Sequence, residues 1–595
     1  MNATGRLRRE GDVLVLTAPA EMPRPSWLTL GQQLIAFVDG AHDPAEMRVV
    51  RIPVGAAAGL RDVLADYPGS SWVWEWTEDA AAAAGRAEAF ADDLRDLIGA
   101  GTNVDAVELA ADLLAAGFTR KLLPAQEDAV GRMLRAQSSG NFSVPGSGKT
   151  TMTYAVYALM RGRADVDRML VVAPQSAYEA WADEADACFA EPPAVEIAAR
   201  APRRGTEVAV VNYERLADGA TRASIDGWAT GHRLLVVFDE AHRAKRGATG
   251  LHGMAARDVA DLAARRIVLT GTPMPNGPAD FEAILDLAWP GHGASLAADP
   301  ASADRLWVRI TKDDLGLEPV EIHVETIDLD PVHRRVYEAA LGRLLESDDS
   351  ARAPATTQLI AAASNPTLLL ADAEELTWSG PILTGSLRDV VEAAAASSRP
   401  AKLLVAARHA HEHAARGAKL LIWTNFLGNV RELKRLLEPL SPAVITGATP
   451  VSEPAAPTDR ARELLRFRED PRCSVLIATP QTLGEGVSLH RVCQSQLYVD
   501  RTFNAGLYLQ ALDRTHRVGM PAETTAKATI LIANDTVDER IDDALRRKIK
   551  QMDASLSDPG LHHLSGVAEP NGVAVSDGEA RALVEHLLRR RNDVS

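Results

Sequence analysis

The stretch "SVPGSGKTT", residues 143–151, decides how the chain is read. Gly146 and Gly148 let the backbone turn tightly and aim N–H groups at phosphate oxygens. Lys149 can reach a β/γ phosphate, and the Thr150 hydroxyl can face Mg²⁺. The segment "TMTYAVYALMRGR" (151–163) follows directly and has a helical pattern, so its positive end would face the same phosphates. Gly146, Ser147, Gly148, Lys149, Thr150 and Thr151 together form a P-loop, and they imply ATP with Mg²⁺. Ser143 stands where the strict pattern has glycine.

About ninety residues downstream, "RLLVVFDE" (233–240) is an apolar, β-branched run that ends in two carboxylates. Open α/β sheets bind their ligands at the carboxyl ends of the strands. Asp239 is therefore expected to hold Mg²⁺, and Glu240 to orient or deprotonate an attacking water. A strand before the pair and a P-loop upstream make hydrolysis the expected chemistry.

Runs of the same kind recur in two sets. The first is "RMLVVAP" (168–174), "EVAVVNY" (207–213), "RLLVVFDE" and "RRIVLTGTP" (265–273). The second is "AKLLIWTN" (418–425), "PAVITG" (442–447), "CSVLIATP" (473–480), "SQLYVD" (495–500) and "KATILIA" (527–533). Short runs that are apolar on both faces, with helical stretches between them, indicate parallel sheets covered by helices. The expected fold class is α/β with two tandem P-loop-type lobes, a small N-terminal α+β domain and a helical insertion between the lobes. The expected boundaries are 1–100 for the accessory domain, 101–290 for lobe 1, 291–395 for the helical insertion, 396–550 for lobe 2 and 551–595 for the tail. In the first hundred residues "GDVLVLTAP", "QLIAFVDG" and "MRVVRIPVG" read as strands, and an Ala-rich acidic helix follows. The tail is expected to end in a helix with Ser576 and Glu579 at capping-box spacing.

A chain of 595 residues is too long for one core. The formal net charge of −17 argues against binding nucleic acid over the whole surface, so any such binding must use local segments. The three cysteines, Cys188, Cys473 and Cys493, are too scattered for a disulfide framework or a zinc site. There is no signal-like N-terminus and no apolar run long enough to span a bilayer. These features point to a cytoplasmic protein, in a bacterial cell or in host cytoplasm if phage-encoded, without a membrane partner.

The order of motifs resembles the superfamily 2 helicases: "LLPAQEDAV" (122–130), the P-loop, "APQSAYEAW" (173–181), "VNYERL" (211–216), "DEAHRAKR" (239–246) and "LTGTPMPN" (269–276). The Trp-containing segment, "DEAHRAK" and "LTGTPMPN" are similar to the SNF2 branch. "VRITKDDLG" (308–316), "SNP" (364–366), "KLLIWTNF" (419–426), "TLGEGVSLHRV" (482–492) and "LQALDRTHRVG" (509–519) continue the likeness across about 120 to 550. The resemblance implies two RecA-like lobes and a DNA-dependent ATPase that moves on duplex or branched DNA. Gln126 would read adenine, and His242, Thr270, Gly271, Thr272 and Gly486 would couple nucleotide state to DNA grip. Gln510, Arg514 and Arg517 match the last motif. Three residues apart, and on one face if helical, the two arginines would meet the γ-phosphate when the second lobe closes. An arginine in that role is worth about 10³ to 10⁵ in rate. The chain departs from the family at Ser143, at Thr424 and Asn425, in "DRTFN" (500–504) and at Met520, which resembles compact bacterial or bacteriophage members. The partners implied are DNA and replication or recombination proteins, with the chain itself a monomer. The alternatives are a strand-separating helicase on single-stranded DNA or RNA, and a non-hydrolysing ATP-switched clamp.

Backbone grip needs hydroxyls and cations aimed at phosphates. By position the candidates are Ser176, Tyr213, Arg243, Lys245, Arg309, Lys312, Thr424, Thr479 and Ser488. "SWVWEW" (71–76) puts Trp72, Trp74 and Trp76 on one strand face, expected to be the core face of the N-terminal domain. His409 and His413 lack a third ligand and are not expected to bind metal.

Overall fold

The computed structural model describes residues 3–10, 13–38, 48–67, 72–99, 106–197, 202–244, 251–275, 277–300, 304–347, 349–370, 386–397, 399–449, 459–483, 487–517, 519–521, 524–556 and 561. The chain divides into two compact units. One comprises Met1–Ser143, Gly148–Pro273 and Pro278–Ile310. The other comprises Val144–Ser147, Met274–Gly277 and Thr311–Ser595.

The first unit holds two sheets. Strands β1 (Ala3–Glu10), β2 (Val13–Thr17), β3 (Val49–Pro53) and β4 (Trp72–Trp76) form a four-stranded sheet in the order β3-β2-β1-β4. β1 pairs antiparallel with β2 and parallel with β4. Trp72, Trp74 and Trp76 pack against the core of this layer, built on Leu7, Leu14, Leu16, Trp27 and Ile52, as the alternation predicts. "QLIAFVDG" is not a strand. Its described part closes the helix Arg24–Leu34 and continues as the 3-10 turn Ile35–Phe37, where Leu30 and Leu34 recur at helical spacing and are buried.

The second sheet of this unit comprises β5 (Ser138–Asn141), β6 (Arg168–Val172), β7 (Val195–Ile197), β8 (Val208–Val211), β9 (Leu234–Asp239), β10 (Ala263–Leu269) and β11 (Trp307–Val308). All its pairings are parallel, in the order β11-β5-β10-β9-β6-β8-β7. β5, "SSGN", has none of the apolar signature of its neighbours, yet every residue in it is buried. A Cβ on Gly140 would come within 2.9 Å of both the Phe142 ring and Trp307 Cβ, so only glycine fits there.

The second unit carries a six-stranded sheet of β12 (Glu321–Ile327), β13 (Leu420–Trp423), β14 (Ala443–Ile445), β15 (Val475–Ala478), β16 (Ser495–Tyr498) and β17 (Lys527–Ala533). It too is wholly parallel, in the order β12-β17-β16-β13-β15-β14. Two all-parallel sheets flanked by helices give the α/β class, with two parallel sheets, that the sequence predicts. The segment 291–395, expected to be helical, contains β11 and β12 besides its helices Pro331–Glu346, Asp349–Ser364 and Ser386–Ser397. β12 is an edge strand and largely exposed, so it lacks the doubly apolar run by which buried strands are recognised. The helix Val537–Leu556 extends past the expected boundary at 550, and the capping-box helix near Ser576 lies outside the described residues. Among the described residues no helix is long and apolar enough to cross a membrane.

Within this unit the N-terminal layer approaches the segment after the helix Pro278–Ala288 at two glycines. A Cβ on Gly55 would lie 2.0 Å from the backbone oxygen of Gly291. Gly55→Ala is therefore expected to destabilise by about 1–3 kcal/mol. Gly85→Ala, in the helix Glu78–Gly99 with only Arg61 at 4.0 Å, is expected to stabilise by up to about 1 kcal/mol. Thermal melts of the two variants should shift in opposite directions, and an unshifted Gly55→Ala melt would contradict this docking.

Candidate active site

β5 ends in Asn141, and the chain then turns into the P-loop. Gly146 and Gly148 both have positive φ, 84° and 85°, a region open to glycine and costly to other residues. Gly148 caps the helix Lys149–Gly162, in which Thr151 through Met160 are all buried, so the helix end is held rigidly. The unexpected Ser143 is fully buried and accepts the backbone N–H of Ile310 on Oγ at 2.9 Å. That bond ties the start of the P-loop to the segment after β11, a role glycine could not fill. Lys149 Nζ donates to the Ser143 carbonyl at 2.8 Å. Gln126 is buried at the start of the helix Pro124–Arg135, where its Oε1 accepts Leu123 N–H at 2.9 Å. A Cβ on Gly148 would meet Gln126 Nε2 at 2.5 Å, so the carboxamide lies directly against the loop.

Asp239 is the last residue of β9. Its Oδ2 accepts the indole N–H of Trp181 at 2.9 Å and its Oδ1 accepts the backbone N–H of Glu240 at 2.9 Å. Trp181, on the helix Tyr178–Cys188, is fully buried. Burial, with Glu240 beside it, pushes the Asp239 carboxyl up to about 6, while Lys149 pulls the other way. Glu240 has left-handed backbone, φ 48°, a strained state that clusters at functional sites. His242 Nδ1 lies 3.3 Å from Glu240 Oε2 and 3.1 Å from Thr270 Oγ1. Thr270 Oγ1 in turn lies 3.5 Å from Glu240 Oε2 and accepts Thr272 N–H at 3.1 Å. Arg309 donates to the carbonyls of Phe142 and Gly271, bracing the P-loop strand and this threonine segment together. The unit thus assembles Gln126, Gly148, Lys149, Asp239, Glu240, His242 and Thr270 from four separate sequence segments.

A model of the SNF2-related domain matches residues 143–297. That stretch is similar to the SNF2-related domain. It is similar to the TATA-binding protein-associated factor MOT1 of Saccharomyces cerevisiae, at 26% identity over 132 residues, 21% of this chain and 7% of that protein. An uncharacterized ATP-dependent helicase of Schizosaccharomyces pombe is 28% identical over 108 residues, 18% of this chain and 10% of that protein. The chain thus spans a tenth or less of the length of these relatives. Among solved structures it is similar to the SWI2/SNF2 ATPase core of Sulfolobus solfataricus. With dsDNA that core is 19% identical over 74% of this chain and 94% of that one, TM-score 0.33. Alone it is 18% identical over 76% and 93%, TM-score 0.31.

The late arginines lie outside the matched SNF2-related domain, in the second unit. The helix Ala505–Leu512 ends before them, so Arg514 and Arg517 sit in the following turn and not on a shared helical face. Their environments differ. Arg514 is buried, and its guanidinium donates to the carbonyls of Gln510 at 2.9 Å and Val487 at 2.8 Å. Arg517 is half-buried; burial lowers its pKa, and Nη1 donates to Ser488 Oγ at 2.6 Å. The turn Val144–Ser147 belongs to this unit, and within it a Cβ on Gly146 would come within 2.5 Å of Arg517 Nε. Gln510 is buried on the same helix.

Several residues expected at a nucleic-acid surface have partners inside the protein. Tyr213 is buried and donates its hydroxyl to the Asp239 carbonyl at 2.9 Å. Thr424 is fully buried and donates to Asp500 at 2.5 Å, because the loop after β13 closes around that carboxylate. Thr479 is buried against Thr482 at 2.8 Å. Lys312 pairs with Asp513 at 2.6 Å and contacts His516 at 2.9 Å, which fixes the arginine turn. Ser488 holds Arg517. Ser176 is exposed, and Arg243 is half-buried, 3.7 Å from Glu214. Thr150 is half-buried at the helix start, and the Thr151 hydroxyl is turned to Glu184. Lys245 and Gly486 lie outside the described residues. His409 pairs with Glu325 at 2.7 Å and His413 with the His409 carbonyl at 2.8 Å.

Asp239 sets a pH signature. Below its ordinary value of 3.8 the carboxyl is protonated in folded and unfolded chains alike. Between about 4 and about 6 the unfolded chain gives up the proton first, so stability falls as pH rises. The loss is on the order of 2–3 kcal/mol. In chelator, the melting temperature of wild type relative to Asp239→Asn is expected to drop from pH 4 to pH 7. A gap that does not move with pH would contradict this environment.

Proposed function

We propose that the chain hydrolyses ATP and couples hydrolysis to movement along duplex DNA. The observation that carries this reading is the cluster of Lys149, Asp239 and Glu240 with the Gln126 carboxamide against Gly148. Gln126 is suited to the adenine edge, and the P-loop amides and Lys149 to the phosphates. A carboxylate kept from water beside a second carboxylate suits a divalent cation, which Asp239 and the Thr150 hydroxyl would hold and which would neutralise phosphate charge. Glu240, steadied by His242 and Thr270, is placed to accept a proton from the attacking water. Arg517 is the residue assigned to the developing γ-phosphate charge, with Arg514 as the anchor of its turn. The same Thr270–Thr272 segment touches Glu240, which supports its role in linking nucleotide state to DNA grip.

The match to an SNF2-related domain and the likeness to a protein named an ATP-dependent helicase support this class. The five segments expected from the sequence, with accessory domain, two lobes, insertion and tail, are retained as the working division. Remodelling of forks, recombination intermediates or protein–DNA complexes would follow from duplex translocation, with exposed or half-exposed Ser176 and Arg243 among the backbone contacts.

Turnover should require Mg²⁺, rise with duplex DNA more than with single strands or RNA, and weaken steeply with salt. Lys149→Ala and Glu240→Gln should each lower it by at least about 10²-fold. Stimulation by RNA or single strands alone would replace the translocation reading. Full turnover in both variants would remove the enzymatic one.

A further inference from the structure

A cavity of about 140 Å³ lies within the first unit, and none of its lining residues belongs to the nucleotide cluster. It sits where the helix Glu78–Gly99 of the N-terminal layer meets β10 and the turn after the helix Pro278–Ala288. The Gly55–Gly291 approach closes the same seam.

The lining is basic. Arg9, Arg86 and Arg266 face it with a single carboxylate, Asp261. Arg9 takes that carboxylate at 3.0 Å. Arg266 Nε donates to the Ala260 carbonyl at 2.8 Å, and burial lowers its pKa to about 10, with Arg86 acting in the same direction. Arg86 is exposed and has no carboxylate partner among the described residues. Two neutral donors or acceptors are also present. Trp289 is 2% exposed, and its indole N–H has no acceptor among the described residues. His292 Nε2 is likewise buried without a partner among the described residues, and burial holds the ring neutral, with its pKa down to about 4. Phe90 stacks on His292 at 4.1 Å between centroids and fixes that ring.

Buried donors without acceptors and like charges without counterions are both costly. One small anion with several acceptor oxygens would relieve both. Three guanidinium groups against one carboxylate leave a local excess of two positive charges, which matches a phosphoryl group better than a carboxylate. The volume admits such a head group with a small body and not a nucleoside triphosphate. We propose that this cavity binds a small phosphorylated ligand, held by Arg86 and Arg266 with the Trp289 indole N–H as a neutral donor. Occupancy would fasten the N-terminal layer to the ATP-site sheet. The proposal does not depend on the ATP reading.

The test is calorimetric titration of the full chain carrying Lys149→Ala, so that the P-loop does not contribute to phosphate binding. The probes are inorganic phosphate, glycerol phosphate and acetate. Saturable one-site binding of both phosphates is expected, with acetate at least about ten-fold weaker. Adding Arg86→Ala, an exposed and fold-neutral change, should weaken phosphate binding by at least about ten-fold, and Trp289→Phe should weaken it by a smaller factor. Phosphate without measurable binding at millimolar concentration, acetate equal to phosphate, or binding indifferent to Arg86→Ala would each overturn the proposal.

Discussion

The candidate site depends on one constraint: a carboxylate held away from water at the end of a buried parallel strand. Asp239 receives one indole N–H and one backbone N–H on its two oxygens and sits beside a second carboxylate, Glu240, which raises its pKa, while Lys149 lowers it. Such a pair is unfavourable in the empty fold and becomes favourable once positive charge arrives. The surrounding structure maintains the arrangement. Trp181 is fully buried and cannot swing away, Tyr213 clamps the Asp239 carbonyl, and Glu240 holds a left-handed backbone. The local cost is the one expected where binding energy is kept for a ligand.

The second unit uses a comparable device for a different end. Asp500, 2% exposed, receives the Thr424 hydroxyl, the Asn425 backbone and side-chain N–H groups, and the Asn429 and Ser364 side chains. One saturated carboxylate therefore pins the loop after β13 to the helix Asp349–Ser364. The arginine turn is fixed in the same manner, by Lys312 on Asp513 and by His516 on the Glu318 carbonyl at 2.7 Å. Arg514 spends its guanidinium on backbone carbonyls, whereas Arg517 is held by a single serine hydroxyl among the bonds described. The fold thus separates two arginines that look equivalent in sequence into an anchor and a more available group.

Much of this was legible in the sequence because buried parallel strands and phosphate loops write strong local patterns. All nine doubly apolar runs are strands, and the P-loop glycines have the positive φ their positions require. What failed to show is what depends on tertiary context. β5 carries a glycine where Phe142 and Trp307 crowd it, and β12 is an exposed edge, so neither has the expected pattern. "QLIAFVDG" was ambiguous between periods, and helical spacing won. Thr424, Thr479 and Tyr213 look like surface hydroxyls by motif position, and only the fold shows that their partners are internal. Ser143 and Trp181 were visible as residue types, but their bonds to Ile310 and Asp239 join segments far apart in the chain.

In the proposed function, ATP hydrolysis requires the Arg517 guanidinium. Single-turnover ATP hydrolysis and nucleotide affinity, measured side by side for Arg517→Ala, test it most directly. The account predicts a rate lower by about 10³- to 10⁵-fold with affinity changed far less. A variant that hydrolyses bound ATP at the wild-type rate would contradict it.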